Sequence, residues 1–62
     1  MNTLETLRLS RFDVVFLSKN QDNKSIKCHF ITSALNSFDA AFIFGQNNKD
    51  KHYVVISVEI VN

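Results

Sequence analysis

The sequence predicts one small α+β domain with the element order ββαβ, and three observations lead to this class. Residues 12–17 and 53–61 are rich in β-branched and aromatic side chains, which is typical of strands. Residues 25–32 alternate apolar and polar side chains with the period of a strand, and residues 33–44 change to helical spacing. Because the chain has 62 residues, we expect a single domain over residues 1–62.

The first strand is predicted over residues 9–19, after an irregular start or a short helical turn at residues 1–8. Leu4 and Leu7 fit one helical turn, whereas Leu7 and Leu9 fit an earlier start of the strand. Both alternatives for the start remain open at this point.

A polar cluster at residues 18–25 (SKNQDNKS) predicts a hairpin loop between the first two strands. The second strand is predicted over residues 25–32, because its apolar side chains recur at every second position. These side chains share one face: Ile26, Cys28 and Phe30.

The helix is predicted to be short, with Asn36 or Ser37 as the N-cap and Asp39 at the positive end of its dipole. Gly45 is expected to end it, because glycine takes the left-handed conformation common after a helix C-terminus. The predicted apolar stripe consists of four residues with Ala41 beside them: Leu35, Phe38, Phe42 and Gly45. Since Phe42 and Phe44 cannot face the same surface, one aromatic side chain is left for a rim or a partner.

The third strand is predicted over residues 52–61. The helix carries the chain back across the domain, so this strand runs in the same direction as the second one. A right-handed crossover that places it beside the first strand gives the order 2-1-3. We therefore expect a three-stranded mixed sheet of order 2-1-3 with the helix on one face.

Strands that are apolar on both sides predict an uncovered apolar surface, because one helix covers only one face of a sheet. In the third strand Val54, Ile56, Val58 and Ile60 form one predicted face, and Tyr53, Val55 and Val61 the other. The outer face is predicted to be a partner or dimer interface, since contiguous apolar patches mark interaction sites. Its residues are Val15, Leu17, Ile31, Tyr53 and Val55.

The predicted topology also brings both lysine-rich loops to one end of the domain. The expected polar contact rim is made of five lysines: Lys19, Lys24, Lys27, Lys49 and Lys51. Asp22 and Asp50 dilute this charge, and the net charge of the chain is only +1. The rim supports a second hypothesis, in which lysines contact phosphates and His52 or Tyr53 stacks on a base.

The sequence favours a protein that is not an enzyme and that has no catalytic, cofactor-binding or metal-binding residues. Neighbours on a strand point to opposite faces, so Cys28 and His29 cannot share a proton. The carboxylates Asp13, Asp39 and Glu59 lack the pocket that acid–base catalysis needs. A single glycine excludes a glycine-rich phosphate loop.

Small domains usually need extra stabilisation, and here self-association is the expected source. A single cysteine forms no intrachain disulfide, and two histidines with that cysteine are too few for a structural zinc site. We therefore expect a homodimer. Without a signal sequence or a membrane span, the expected location is the cytoplasm of the cell, or of the host if a phage encodes the protein.

The hairpin, the short capped helix and the closing strand YVVISVEIV resemble the small ββαβ accessory proteins encoded by phages. These include inhibitors of bacterial defence systems of the anti-CRISPR and anti-restriction type. The likeness covers residues 12–61 and consists of layout and size. It implies a protein that acts by stoichiometric binding to a host protein.

The function predicted from the sequence is therefore non-enzymatic protein–protein interaction, with itself, with a host protein or with both. Inhibition of a bacterial defence factor is the form that the resemblance implies. The alternative is a small nucleic-acid-binding module that uses the lysine-rich loops. A weaker third hypothesis is an antitoxin or a structural subunit of a larger complex.

Overall fold

The computed structural model describes residues 8–61. Four elements follow one another in the predicted order: β1 (Ser10–Lys19), β2 (Ser25–Ala34), α1 (Ser37–Asn47) and β3 (Val54–Val61). The three strands form one sheet, and α1 packs against one of its faces. The predictions made for residues 1–7 lie outside the described residues.

The predicted strand order is confirmed, since the sheet has the order β2-β1-β3. The expectation of a mixed sheet is wrong, because β1 pairs antiparallel with both of its neighbours. β2 and β3 run in the same direction, as predicted, but β1 lies between them and they never pair. With β1 central, a hairpin on one side and a returning strand on the other both produce antiparallel pairs.

The hairpin between β1 and β2 is closed by Asn20. Its side-chain oxygen accepts hydrogen bonds from the backbone amides of Asp22 (2.9 Å) and Lys24 (3.0 Å). Asn23 has a φ of 61°, which asparagine tolerates better than most residues. The polar cluster in the sequence is thus a tight, internally hydrogen-bonded turn.

A β-bulge in β3 changes which side chains share a face. Val15 pairs with Ser57, but the next residue, Phe16, pairs with Val55, so Ile56 has no partner in the register. One extra residue in a strand reverses the alternation beyond it. Residues of β3 that precede Ile56 therefore face the side opposite to the one that unbroken alternation predicts.

The N-terminus of α1 is held by two reciprocal side-chain bonds. The Asp39 amide donates to Asn36 Oδ1 (2.8 Å), and Asp39 Oδ2 accepts from the Leu35 amide (2.9 Å). Asn36 is therefore the N-cap, which resolves the predicted choice between Asn36 and Ser37.

The C-terminus of α1 differs from the prediction. Gly45 lies inside the last turn with no positive φ, and the helix continues to Asn47. Asn47 Nδ2 donates to the Ile43 carbonyl (3.0 Å) and Asn48 Nδ2 to the Phe44 carbonyl (2.9 Å). These side-chain amides, together with the backbone amide of Asn48 on the Gly45 carbonyl, bond to carbonyls of the last turn. In many helices a left-handed glycine serves this purpose, so this helix needs no glycine to end.

The core lies between α1 and the sheet face that carries Phe12 and Val14, with Ala34, Ala40 and Phe44 completing it. An aromatic cluster fills the end of the core nearest the hairpin. The ring of Phe44 lies 4.6 Å from that of Phe16, 5.4 Å from that of Phe30 and 6.0 Å from that of Tyr53, measured between centroids. Close aromatic pairs of this kind add to the free energy gained from apolar burial.

Candidate interaction surface

The side of α1 that faces away from the sheet carries the most exposed aromatic side chains of the described residues. Four residues recur at helical spacing on this side and are called the outer stripe: Phe38, Ala41, Phe42 and Gly45. Phe38 is 86% exposed and Phe42 is 63% exposed, whereas Phe44 on the inner side is 4% exposed. A large apolar side chain this open to water has no partner within the described part of the chain.

The outer stripe consists of residues that the sequence analysis placed on the apolar face of the helix, the face expected to pack on the sheet. This prediction is wrong. Ala40 and Phe44 lie against the sheet instead, and the predicted stripe, with Leu35 before it, faces outward. Both sides of α1 are apolar with the same period, so periodicity alone cannot choose between them. Phe42 and Phe44 point to different sides of the helix, as predicted, but Phe38 is exposed together with Phe42, so two aromatic side chains are left over instead of one.

The outer stripe is uncharged, and its side chains differ strongly in size. The only charged residue of α1 is Asp39, whose carboxylate accepts the Leu35 amide. A Cβ atom added at Gly45 would have no heavy atom within 4 Å, so the backbone there is open to a close approach. Two protruding rings thus stand beside two low positions, Ala41 and Gly45.

The five residues of the predicted interface do not share one surface. The sheet face opposite α1, called the back face, carries Val15, Leu17 and Ile31, as predicted. Tyr53 and Val55 were also expected there, but the bulge at Ile56 turns both toward the helix side. Tyr53 packs on Phe16 with a centroid distance of 4.7 Å.

The back face is mixed rather than apolar. Val15 is only 4% exposed and Leu17 is half-buried, which leaves Ile31 as the open member of the predicted group. The bulge adds Val54, the cross-strand partner of Leu17, as a second exposed apolar side chain on this face. Polar and charged residues occupy the positions between and beside them on the three strands: Arg11, Asp13, Lys27, His29, Ser57 and Glu59. A face with this pattern is a poorer candidate for apolar docking than the outer stripe.

An Asp–His pair lies on the back face and was missed from the sequence. His29 Nδ1 lies 2.8 Å from Asp13 Oδ2, with 53% of the histidine side chain and 16% of the aspartate side chain exposed. Asp13 is also the cross-strand partner of Glu59, whose carboxylate accepts from the Ser57 hydroxyl at 3.2 Å. Counting back from the hairpin would have shown that Asp13 and His29 are diagonal neighbours.

Within residues 8–61, no serine or cysteine nucleophile lies within hydrogen-bond reach of this pair. An Asp–His pair orients a base for a serine or cysteine nucleophile within hydrogen-bond reach. Ser57 lies in the row of His29 but on the far side of Val15, and its hydroxyl donates to Glu59. Cys28 points to the other face of the sheet, where its thiol donates to the Ile26 carbonyl at 3.8 Å. The pair joins β1 to β2 on the back face.

The lysine-rich loops lie at one end of the domain, as predicted. β1 ends there, and Leu17 pairs with Val54 at the start of β3, so the loops before β2 and before β3 are neighbours. All five lysines of the predicted rim are exposed: Lys19, Lys24, Lys27, Lys49 and Lys51. Over residues 8–61 the only basic side chain within 4 Å of a carboxylate oxygen is His29, at Asp13, so none of these lysines is paired with a carboxylate within this range.

Among residues 8–61, no group of three or more His, Cys, Asp or Glu side chains is arranged to hold a metal ion. The one helix formed by these residues, α1, is not long and apolar enough to cross a membrane. Comparison of the chain with protein families, curated proteins and solved structures found no match. What the surface binds is therefore inferred from its own chemistry.

Proposed function

We propose that the protein is a non-catalytic protein-interaction module that binds its partner through the outer stripe of α1. The observation that carries the proposal is the exposure of Phe38 and Phe42 on a helix whose opposite side is already buried. A helix with apolar side chains on two opposite sides normally has both of these sides covered. Here the protein's own sheet covers one side, and a partner would cover the other.

The exposed apolar area of Phe38 and Phe42 is large enough for the centre of a protein–protein interface. At their observed exposures the two phenylalanine rings present roughly 300 Å² of apolar area. Burying that area contributes about 7 kcal/mol at 25 cal/mol per Å², against an association cost of about 4–15 kcal/mol. The two rings therefore resemble the aromatic anchors that dominate many interfaces, with neighbouring residues supplying the remaining contacts.

The inhibition of a bacterial defence factor implied by the resemblance is one form this function would take. Such an inhibitor would use the outer stripe to cover a surface on the host protein. The surface chemistry supports binding and does not identify the bound protein, so this specific role stays a prediction.

Site-specific photocrosslinking tests the proposal. A photoreactive phenylalanine analogue is placed at Phe42, where it keeps an aromatic ring in the exposed position. We expect crosslinked protein adducts in the cells that naturally produce the protein, because a bound partner would lie within reach of the ring. The adducts are separated by mass and identified by peptide sequencing.

The matched control carries the same analogue at Gln21, in the hairpin loop at the far end of the molecule from the N-terminus of α1. Both positions are exposed, so unspecific collisions label them equally. Adducts from position 42 alone support the proposal. Equal labelling at the two positions, or no adduct at position 42, contradicts it.

A second candidate function is nucleic-acid binding through the lysine-rich end. The observation that favours it is the gathering of five exposed lysines without an ion pair in the described part of the chain. Against it, Tyr53 packs on Phe16 and is half-buried, which leaves His52 as the only exposed ring of the predicted stacking pair.

The salt dependence of binding separates the two functions. If lysines bind phosphates, affinity for single-stranded DNA or RNA falls steeply between about 50 and 200 mM salt because counterions are released. The variant Lys49→Gln/Lys51→Gln then shows a shallower slope, measured by fluorescence anisotropy. Binding that is absent at 50 mM salt, or unchanged in the variant, rejects this second function.

A further inference from the structure

We propose that the outer stripe takes a second copy of this chain, with the two helices packed antiparallel about a two-fold axis. In this arrangement Phe38 of each copy lies over Gly45 of the other, and Ala41 lies against Phe42. This inference rests on the proposed function and names the partner. The axis passes between Ala41 and Phe42, at the middle of the stripe.

The order of residue sizes along the stripe makes it complementary to itself. Reading Phe38, Ala41, Phe42 and Gly45 from the N-terminus gives large, small, large, small. An antiparallel two-fold axis reverses this order in the second copy, so that each ring meets a small residue. A two-fold interface requires such self-complementarity, because the same patch serves both sides. The free space around Gly45 provides room for the ring of the second copy's Phe38.

Charge favours the antiparallel arrangement over the parallel one. Lys49 and Lys51 follow the C-terminus of α1, and a parallel pair of helices would place these lysines against their own copies. In the antiparallel pair they lie at opposite ends of an 11-residue helix, about 16 Å apart. This separation exceeds the Debye length of about 8 Å at physiological salt, so the repulsion is largely screened.

The area of the stripe predicts a weak dimer. Adding Leu35, Ala41 and Gly45 to the two rings brings the buried surface to about 400 Å² per copy, against about 800 Å² per partner in a standard interface. A contact of this size belongs to the weak, reversible class. We therefore expect monomers at low micromolar concentration and dimers at concentrations of several hundred micromolar.

Edge strand β3 is the rival site for a second copy. It carries exposed apolar side chains, among them Val54 and Ile60, and one of its edges is unpaired in the sheet that residues 8–61 form. However, the bulge at Ile56 interrupts its hydrogen-bonding register, and Glu59 places a charge on the strand. Both features oppose pairing between edge strands, so the outer stripe is the better site.

Sedimentation equilibrium between about 10 μM and 1 mM tests the proposal on the full chain. Phe38→Glu introduces a charge at a position that is 86% exposed, so the monomer fold is retained while the ring that meets Gly45 is lost. We expect dimerisation to weaken more than ten-fold, the size of effect typical of an aromatic anchor. Val54→Glu is the matched control on β3, and we expect dimerisation to change less than three-fold. Circular dichroism verifies that each variant is folded.

Gly45→Gln tests the proposed contact between Gly45 and Phe38 of the second copy. Glutamine is a better helix former than glycine and extends into open space in the monomer, so the free energy of unfolding should not fall. In the dimer its side chain occupies the place of the second copy's Phe38, and dimerisation should weaken more than ten-fold.

Three results would overturn this inference: a wild-type chain that is monomeric at 1 mM, a Phe38→Glu variant that dimerises as well as wild type, or a Val54→Glu variant that is weakened as much as Phe38→Glu. Crosslinking from Phe42 distinguishes this failure from failure of the proposed function. An adduct of twice the mass of the chain, attached within residues 38–45, supports the second copy. Adducts with other proteins alone keep the interaction module and reject the dimer.

Discussion

The inner and outer sides of α1 both carry phenylalanine, which is buried on the inner side and exposed on the outer side. Phe44 is packed among Phe16, Phe30 and Tyr53, whereas Phe42, two positions earlier, is open to solvent. Two positions correspond to about 200° around a helix, so the two rings point to nearly opposite sides. The comparison shows that an apolar side chain becomes part of a core only when another element is placed against it.

The small side chain of Ala40 explains which side of the helix packs against the sheet. Ala40, with 0% exposure, allows the helix axis to approach the sheet, and Phe44 then reaches the aromatic cluster on β1 and β2. The outer stripe also contains a low position, Gly45, but nothing in the described chain lies over it. The difference between the two sides is thus one of available partners and not of hydrophobicity.

The largest expected effect is that of Phe44→Ala, which removes the ring at the centre of the aromatic cluster. Truncating a buried phenylalanine costs about 3–5 kcal/mol, as much as the whole stability of a domain this small. We expect the variant to be largely unfolded at 25 °C, measured by circular dichroism and urea titration. A cooperative transition with wild-type midpoint would show that Phe44 is not central to the core.

An intermediate effect is expected for Asn36→Ala, which removes the N-cap that sets the start of the helix. The loss of the bond to the Asp39 amide should lower the free energy of unfolding by about 1 kcal/mol. Ser37→Ala, at the other predicted cap position, is the control and should cost less. Equal losses in the two variants would argue against Asn36 as the cap.

The smallest expected effect is that of Phe42→Ala, the same substitution as the first one on the opposite side of the helix. At low micromolar concentration, where the protein is expected to be monomeric, the free energy of unfolding should change by less than about 0.5 kcal/mol. The thermal midpoint measured at that concentration gives the answer. A loss approaching that of Phe44→Ala would mean that Phe42 is covered within the same chain.

The sequence was sufficient for the order of the elements and for the start of the helix, but not for the end of the helix at Asn47. Strand-type residues, the polar cluster before Ser25 and the capping pattern of Asn36 with Asp39 led to three strands and a helix in the observed order. These features arise from interactions between residues that are close together in the chain, and a sequence pattern shows such interactions directly. The central position of β1 was predicted from a right-handed crossover that places β3 beside it, and the observed order agrees.

The candidate site was predicted less well. The lysine-rich loops were correctly placed at one end of the domain, because the direction of the strands is enough to determine where the loops lie. The apolar interface was placed on the back face because uninterrupted alternation was assumed for β3, and the bulge at Ile56 moves Tyr53 and Val55 to the other face. The Asp13–His29 pair required the cross-strand register, which the hairpin determines and a single strand does not show.

What the sequence alone determined is a helix with two apolar sides and strands with apolar side chains on both faces. Only the tertiary structure decided which of these sides became the core, because the helical and strand periods are identical for the buried and the exposed face. Packing against β1 and β2 selected the side of Ala40 and Phe44. The remaining side, with Phe38 and Phe42, faces water because residues 8–61 form a single short helix and no second layer that would cover it.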